Sequence, residues 1–380
     1  MKRFILVGTA ILVIAGLYTG KTMAKNRVSA DKEITFVDAI KGEIKLPENI
    51  HDIVLLKKDG IPTYHFAHAI DDHLMRTTTV VRGGEWLASA PIHYELFHLL
   101  GFKMPAYAHT AHLMKFDEET GGKRKLSKRK DPELSLDYYR KDGYHPYTMK
   151  VYLLTLLNSN FEEWHEKFPD KDINEFPFSV EKMNQSGALF DKDKLHNICK
   201  NELSKLSEEE LYDFLYDWAR ENEPENVEKW FGDREKMLQI LRLYMGVGAK
   251  RRRKDLMYAK QIFELISYFF DGESAEEMDE FKLDEDMVSK ILKSYLAKYD
   301  HNDDNSVWFN KLKEIADEHG FASDMKAYKA NPENFKGNVS DIAEAVRIAV
   351  TGRANTPDLW TIVHIMGEEQ MTERIKKHIK

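Results

Sequence analysis

The segment Lys123-Arg-Lys-Leu-Ser-Lys-Arg-Lys130 sets six cations around one hydroxyl in eight positions, behind Thr120-Gly121-Gly122 and ahead of Asp131-Pro132. A glycine-led loop of this make-up suits a polyphosphate. Lysine gives compact positive charge, while Ser127 and backbone N–H groups give hydrogen bonds. A basic run taken alone also fits a solvated surface loop or a nucleic-acid patch, so its neighbours decide. Upstream stand Asp59-Gly-Ile-Pro-Thr-Tyr-His-Phe-Ala-His68, then Asp71-Asp72-His73-Leu74-Met75, then Val80-Val81-Arg82-Gly83-Gly84-Glu85-Trp86-Leu87.

Ile34-Thr-Phe-Val37, Ile53-Val-Leu-Leu56 and Thr77-Thr-Thr-Val-Val81 are short β-rich runs, the second ended by a Lys57-Lys58-Asp59-Gly60 turn. Tyr94–Leu100 and Met149–Leu157 read as helices, with Leu153, Leu154, Leu156 and Leu157 giving the latter an apolar face. Short strands alternating with helices predict an α/β layer up to about residue 130. From Leu206 the character changes. Ser207-Glu-Glu-Glu210 and Ser274-Ala-Glu-Glu277 are capping boxes. Leu211, Leu215 and Trp218 follow at helical spacing, and Val288, Ile291, Leu292, Tyr295 and then Trp308, Leu312, Ile315 repeat the stripe. The fold class is thus α/β followed by an all-α domain over 206–380, with the aromatic stripes as core.

A chain of 380 residues suffices for two or three packed units, and 42% apolar with 32% charged residues excludes a disordered one. A net charge of −8 gives nucleic acid no global attraction, so RNA affinity falls to local clusters, 123–130 and Lys250-Arg251-Arg252-Arg253-Lys254. Cys199, the only cysteine, excludes an internal disulfide and a cysteine zinc cluster, and reads as a buried, inert thiol in a reducing compartment. His65, His68 and His73 with Asp71 and Asp72 resemble a metal-ligand string, since a helical i, i+3 pair can share an ion. The Pro62-led context predicts a strand and loop there instead, and no metal is assigned.

In this order the motifs resemble the C-terminal half of the catalytic domain of bacterial glutamyl-tRNA synthetases. The second ATP motif of that class I family is Lys-(Leu/Ile/Met)-Ser-Lys-Arg, here Lys125-Leu-Ser-Lys-Arg129. The likeness continues through Ser186-Gly-Ala-Leu-Phe-Asp191 and Lys194-Leu195 to Val350-Thr351-Gly352, Thr356-Pro357 and Leu359, so it spans roughly Ile34 to Lys380. It implies an atypical apolar segment over 1–33, an incomplete class I Rossmann-like nucleotide-binding domain over 34–130, a stem-contact region over 131–205 and an anticodon-binding-type domain over 206–380. ATP with Mg2+, glutamate and a glutamate-type tRNA are the implied ligands. In the family's reaction glutamate attacks the α-phosphate, pyrophosphate departs, and a tRNA ribose then takes the acyl group. Positioning and electrostatic stabilisation carry such a step.

By resemblance, Lys128 would stabilise the departing pyrophosphate, while Lys125 and Ser127 would hold the phosphates and a closing loop. Arg129 and Glu85 would complete the ATP site, with backbone groups of Leu113 and Met114 facing adenine. Tyr64, His68, Arg82 and Trp86 match the glutamate pocket, where an arginine fork pairs with a carboxylate that an amide cannot imitate. Read without the family, Tyr64 and Trp86 fit a core equally well, and Arg82 fits a strand-end ion pair.

The chain also departs from the pattern. Where the first ATP motif (His-Ile-Gly-His or His-Ile-Gly-Gly) belongs, the residues in register are Val13-Ile14-Ala15-Gly16, with no imidazole. The Arg-Ile-Glu-Asp-Thr-Asp segment and most of the acceptor-stem insertion are missing, only its end surviving as Ile34–Pro47. Arg76, Thr79 and Gly84 stand where the family has glycine, histidine and an acidic residue. These departures lead to the expectation of an impaired ligase, and of a sheet with an open edge and face. Lys2-Arg3 and the uncharged run Phe4–Gly20 leave two readings open. One is a signal-like segment cleaved after Thr22-Met23-Ala24. The other is a degenerate form of the family's opening strand, matched at Arg3, Phe4, Thr9, Leu12, Ile14, Gly16, Leu17 and Thr19. Two other functions compete: a non-catalytic tRNA-binding paralogue, and a membrane-anchored or exported metal-dependent hydrolase using the histidine string. ATP and tRNA as substrates favour the cytoplasm and no membrane partner, and leave open a second chain that supplies the missing half.

Overall fold

The computed structural model of the chain describes residues 33–50, 52–117, 119–270 and 278–380. The apolar N-terminal segment, the displaced ATP motif and the capping box at Ser274 lie outside the described residues. Two compact units emerge: one takes the chain up to Leu134 together with Lys150–Asp191, the other Ser135–Met149 together with Lys192–Lys380.

In the first unit, β1 (Glu33–Asp38) returns antiparallel as β2 (Gly42–Pro47). Asp38 makes that turn: one carboxylate oxygen accepts from Ile40 N–H at 3.0 Å and Lys41 N–H at 2.9 Å, and Gly42 takes φ +76°. β4 (Ala106–Thr110) runs parallel to β1 on one side and to β3 (Thr79–Gly83) on the other, giving the order β2-β1-β4-β3. The crossover from β3 to β4 passes through a 3-10 turn, Gly84–Ser89, and the helix Ala90–Leu99, which is a βαβ unit. A smaller sheet of order β6-β5-β7 joins β5 (Leu113–Phe116) to β6 (Lys123–Lys125) antiparallel and to β7 (Ala188–Leu189) parallel. The expected α/β layering is present, and Val37 and Val81 of the larger sheet are exposed.

Three local expectations are corrected. Tyr64–Met75 is a helix rather than a strand and loop. Pro62 precedes the N-cap Thr63, so it removes no bond from the helical ladder, and the Thr63 hydroxyl ties the entry down by donating to Val54 O at 2.7 Å. Phe66, Ala69 and Ile70 recur at i, i+3, i+4 and pack on Leu96 and Phe97 of the crossover helix. Ile53–Leu56 forms no strand. Leu56 makes a single bridge, to Pro62, while Ile53, Leu55 and Leu56 pack on the same pair of helices. In the helix Pro146–Leu157 the buried residues include Val151, Tyr152 and Leu156 but not Leu153, so the leucine face only partly coincides with the buried one.

Helix Tyr64–Met75 stops at Arg76, whose φ of 57° and ψ of 40° are left-handed. Arg76 is the one non-glycine residue with positive φ among the described residues. Its N–H and that of Thr77 bond back to His73 O and Asp72 O. A glycine fits this closure without a Cβ penalty, as expected if the family resemblance places one there.

The second unit is helical. Ser207 Oγ accepts from Glu210 N–H at 3.2 Å, and the Glu210 carboxylate accepts from Ser207 N–H at 2.8 Å, which starts the helix Glu208–Asn222. All three predicted stripes fall into one continuous core. A second reciprocal cap, Asn338 with Asp341, opens Val339–Thr351. Cys199 is buried against Thr148, and burial pushes its thiol up to about 11, so it is unreactive in the folded state. No helix among the described residues is long and apolar enough to cross a membrane.

Replacing Arg76 by glycine removes the left-handed penalty but loosens the unfolded chain, for a net gain of roughly 0.5–1 kcal/mol in urea unfolding. Ser207→Ala, which deletes one half of the capping box, is expected to lower stability by about 1 kcal/mol in the same measurement.

Candidate functional site

Arg82 on β3 is in register with His109 on β4, so adjacent parallel strands carry both side chains on one face. Arg82 Nε donates to His109 Nε2 at 2.9 Å, and Nη1 donates to His93 Nδ1 at 3.1 Å. A guanidinium has donors only, so both ring nitrogens must accept. His109 therefore carries its proton on Nδ1, 2.6 Å from the Asp38 carboxylate. His93 carries its proton on Nε2, 2.9 Å from His65 Nδ1. Asp38, His109, Arg82, His93 and His65 thus form one directional chain of hydrogen bonds.

The electrostatics agree with that assignment. Burial, with the neighbouring His68 ring and the Arg82 cation adding to it, drives His93 down to about 2, so its ring is neutral. Burial also lowers His109, against the opposing bond to Asp38. Burial would raise Asp38, but hydrogen bonds from Lys41, His109 and Ile40 outweigh it and leave the carboxyl below its ordinary value. His68 Nε2 lies 2.8 Å from the Tyr107 hydroxyl, and its Nδ1 lies 2.9 Å from Asp72, one turn along the helix. Burial lowers His68 as well, with Asp72 opposing.

Aromatic rings close the cluster. Tyr64, half exposed, stacks on His68 at 5.9 Å and leans on Trp86 at 4.6 Å. The guanidinium of Arg82 sits over the Tyr107 ring at 4.7 Å and near Trp86 at 5.9 Å. Tyr64, His68, Arg82 and Trp86 are therefore brought together. Among the described residues no carboxylate comes within ion-pair distance of Arg82.

The basic segment is organised by one buried acid. Asp131, 1% exposed, accepts two parallel bonds of 2.7 Å from Arg124, a third from Ser127 N–H at 2.8 Å, and an ion pair from Lys115 at 3.1 Å. The bidentate Arg124 contact does most to hold its carboxyl well below the usual carboxylate range. Arg124 also reaches Asp117 at 3.3 Å. Of the six cations in the segment, Arg124 is thus committed to the loop's own architecture. Lys123–Lys125 forms the edge strand β6, Leu126 is buried beneath it, and Lys128 and Arg129 are exposed.

Glu85 and Lys125 approach each other through His112, whose Nδ1 is 3.4 Å from Glu85 and whose Nε2 is 3.5 Å from Lys125 Nζ. This joins the turn that bears Trp86 to the strand that leads into the loop. Among the described residues no hydrogen bond, ion pair or ring contact joins Lys128 or Arg129 to the Arg82 cluster. Leu113 O accepts from Leu126 N–H and Met114 O from Phe190 N–H, so each of these carbonyls already carries one protein bond. Sequence reasoning missed Asp38, His93, His109, Arg124 and Asp131. Asp38 and His109 stand 71 residues apart and leave no spacing to read. Asp131 had a signal: it is the acid that closes an otherwise cationic run.

Because the folded-state pKa of Asp131 lies below the ordinary 3.8, its ionisation favours the folded state above that pH, and the advantage fades as pH falls toward the depressed value. Asp131→Asn should therefore flatten the acid limb of the stability curve between roughly pH 5 and pH 2, read by circular dichroism.

Comparison with known proteins gives a consistent result. A family model for class I tRNA synthetases (E and Q), catalytic domain, matches residues 19–197, and one for an anticodon binding domain matches 210–379. The glutamate–tRNA ligase of Acetivibrio thermocellus is 54% identical over 342 residues, a match covering 90% of this chain and 62% of that protein. The glutamate–tRNA ligase of Clostridium perfringens is 45% identical over 360 residues, covering 93% and 64%. The crystal structure of a glutamate tRNA ligase from Elizabethkingia meningosepticum, in complex with its amino acid, aligns with a TM-score of 0.65 at 25% identity, over 92% of this chain and 66% of that one. Across such curated relatives this chain spans 62% to 67% of their length. With both regions matched in order, the chain belongs to the glutamate–tRNA ligase family of class I tRNA synthetases.

Proposed function

We propose that the chain binds glutamate at the Arg82 cluster and ATP along the 123–130 loop, activates the amino acid as its adenylate, and transfers it to a glutamate-type tRNA. The observation that carries this reading is Arg82 itself. A half-buried guanidinium without a carboxylate partner among the described residues requires an anion, and a glutamate side chain supplies one in fork geometry. Tyr64 and Trp86 would wall the amino acid, and His68 would offer it a ring edge.

Lys125, Ser127, Lys128 and Arg129 would take the phosphates, with Lys128 opposite the departing pyrophosphate and Glu85 nearby. Leu113 and Met114 would meet adenine through the acceptor capacity their carbonyls retain. Mg2+ would come as the ATP complex, held mainly by phosphates and water. The acids beside the loop, Asp117 and Asp131, are already engaged by Arg124. The regions 34–130, 131–205 and 206–380 would serve catalysis, stem contact and anticodon binding. In the helical unit, a cleft of about 720 Å³ lined by Arg242, Arg251, Arg253 and His364 supports the last of these. Arg242 is spent on Glu208 and Glu235, and Arg253 on Asp255, whereas Arg251 has no carboxylate partner among the described residues. Such substrates fit a cytoplasmic protein.

Turnover is expected to be impaired, because Val13-Ile14-Ala15-Gly16 has no imidazole where the family's first ATP motif does. The same observation favours a second reading, tRNA binding without catalysis. An ATP–pyrophosphate exchange assay with glutamate and tRNA separates the two. The first reading expects exchange slower than that of a full-length relative, with Lys128→Ala removing about tenfold or more of it. No exchange, together with salt-sensitive tRNA retention on filters, leaves the second. In that filter assay Arg251→Ala should weaken tRNA binding and reduce the salt slope by about one.

A further inference from the structure

We infer that His93 and His109, the latter anchored by Asp38, are positioning residues that hold Arg82 as an un-neutralised cation and thereby make its pocket prefer a side-chain carboxylate to the corresponding amide. This rests on the reading of the Arg82 cluster as an amino-acid pocket, and deepens it.

A partly buried arginine ordinarily finds a carboxylate, which fixes its orientation and cancels its charge together. Here the two effects are separated. Orientation comes from two imidazole nitrogens, at 2.9 Å and 3.1 Å, neither of which brings a charge. The nearest acid of the network, Asp38, stands one imidazole away: it meets His109 Nδ1 at 2.6 Å and never the guanidinium. It therefore fixes the tautomer of His109 without pairing with Arg82. With the other tautomer, an Nε2–H would face the Nε–H of Arg82 and the contact would become repulsive. His93 is wholly buried, and a charged ring there would set two like charges about 3 Å apart, so the neutral form is required.

A donor count points the same way. Of five guanidinium N–H groups, one goes to His109, one to His93, and one makes a long 3.5 Å approach to Trp86 O. Two remain, both on terminal nitrogens; within the protein they have only the neutral Tyr64 hydroxyl beside them, and a carboxylate can take its place and accept both. An amide offers a single oxygen to those donors and turns its own N–H groups against a full positive charge.

The test uses the full 380-residue chain. Nitrogen-15 histidine spectra should show His93 protonated on Nε2 and His109 on Nδ1, both neutral from about pH 7 to 8. The opposite tautomer at either ring, or titration of either in that range, overturns the inference without recourse to any variant. Equilibrium dialysis with L-glutamate and L-glutamine then reads the consequence. His93→Glu, which places a carboxylate on Arg82, should cut the glutamate-to-glutamine affinity ratio by about tenfold or more, and His93→Gln, a neutral acceptor, should restore most of it. Asp38→Asn should release the Nδ1–H tautomer of His109 in the same spectra. If the preference is present and survives His93→Glu in a folded variant, the positioning inference alone fails. If the tautomers are as assigned but the unmodified chain shows no preference for glutamate, the pocket reading fails and takes the selectivity with it.

Discussion

A guanidinium can donate hydrogen bonds but never accept one, and the larger sheet is arranged around that asymmetry. Arg82 dictates the proton positions of His109 and His93, and these in turn engage Asp38 and His65. Asp38 is the same residue that turns β1 into β2, so the hairpin, the parallel β4 and the crossover helix meet in one network of polar bonds. A buried network of this kind is stabilising only when every member is satisfied, and a change at one end propagates along the line.

The basic loop follows a parallel logic with the signs exchanged. There one acid organises the cations: Asp131 gathers Arg124, Lys115 and a backbone N–H, and Leu126 plugs the strand from below. Lys128 and Arg129 are left outward, while Arg124 and Lys115 engage the acids beside the loop, Asp117, Asp131 and Glu133. Within a run of identical-looking cations, scaffold and candidate ligand are told apart only by partners.

How much of this was legible in the chain depends on the range of the interaction. The helical stripes of Leu211, Leu215 and Trp218 or of Trp308, Leu312 and Ile315 were readable because periodicity is a local signal and burial follows it. The Ser207 box was readable for the same reason, while the equivalent Asn338–Asp341 cap hid behind less common residue types. Tyr64–Met75 escapes a reading led by Pro62, because a proline just ahead of an N-cap looks in sequence like one in a loop, and the core contacts that settle the helix come from the distant Leu96 and Phe97. Tyr64, His68, Arg82 and Trp86 were picked out by family likeness, and they do converge. The residues that orient Arg82 were not, since Asp38 and His109 come together only through strand pairing.

Cys199 carries a consequence of a different kind. It is the chain's sole sulfhydryl, sealed in the helical unit with its proton held tightly. The native molecule is therefore silent toward maleimides and disulfide reagents, and a cysteine introduced anywhere on the surface becomes a unique attachment point for a fluorophore or spin label. Modification of Cys199 itself reports the opposite event, the opening of the surrounding helices, so one reagent distinguishes a labelled native population from a transiently unravelled one.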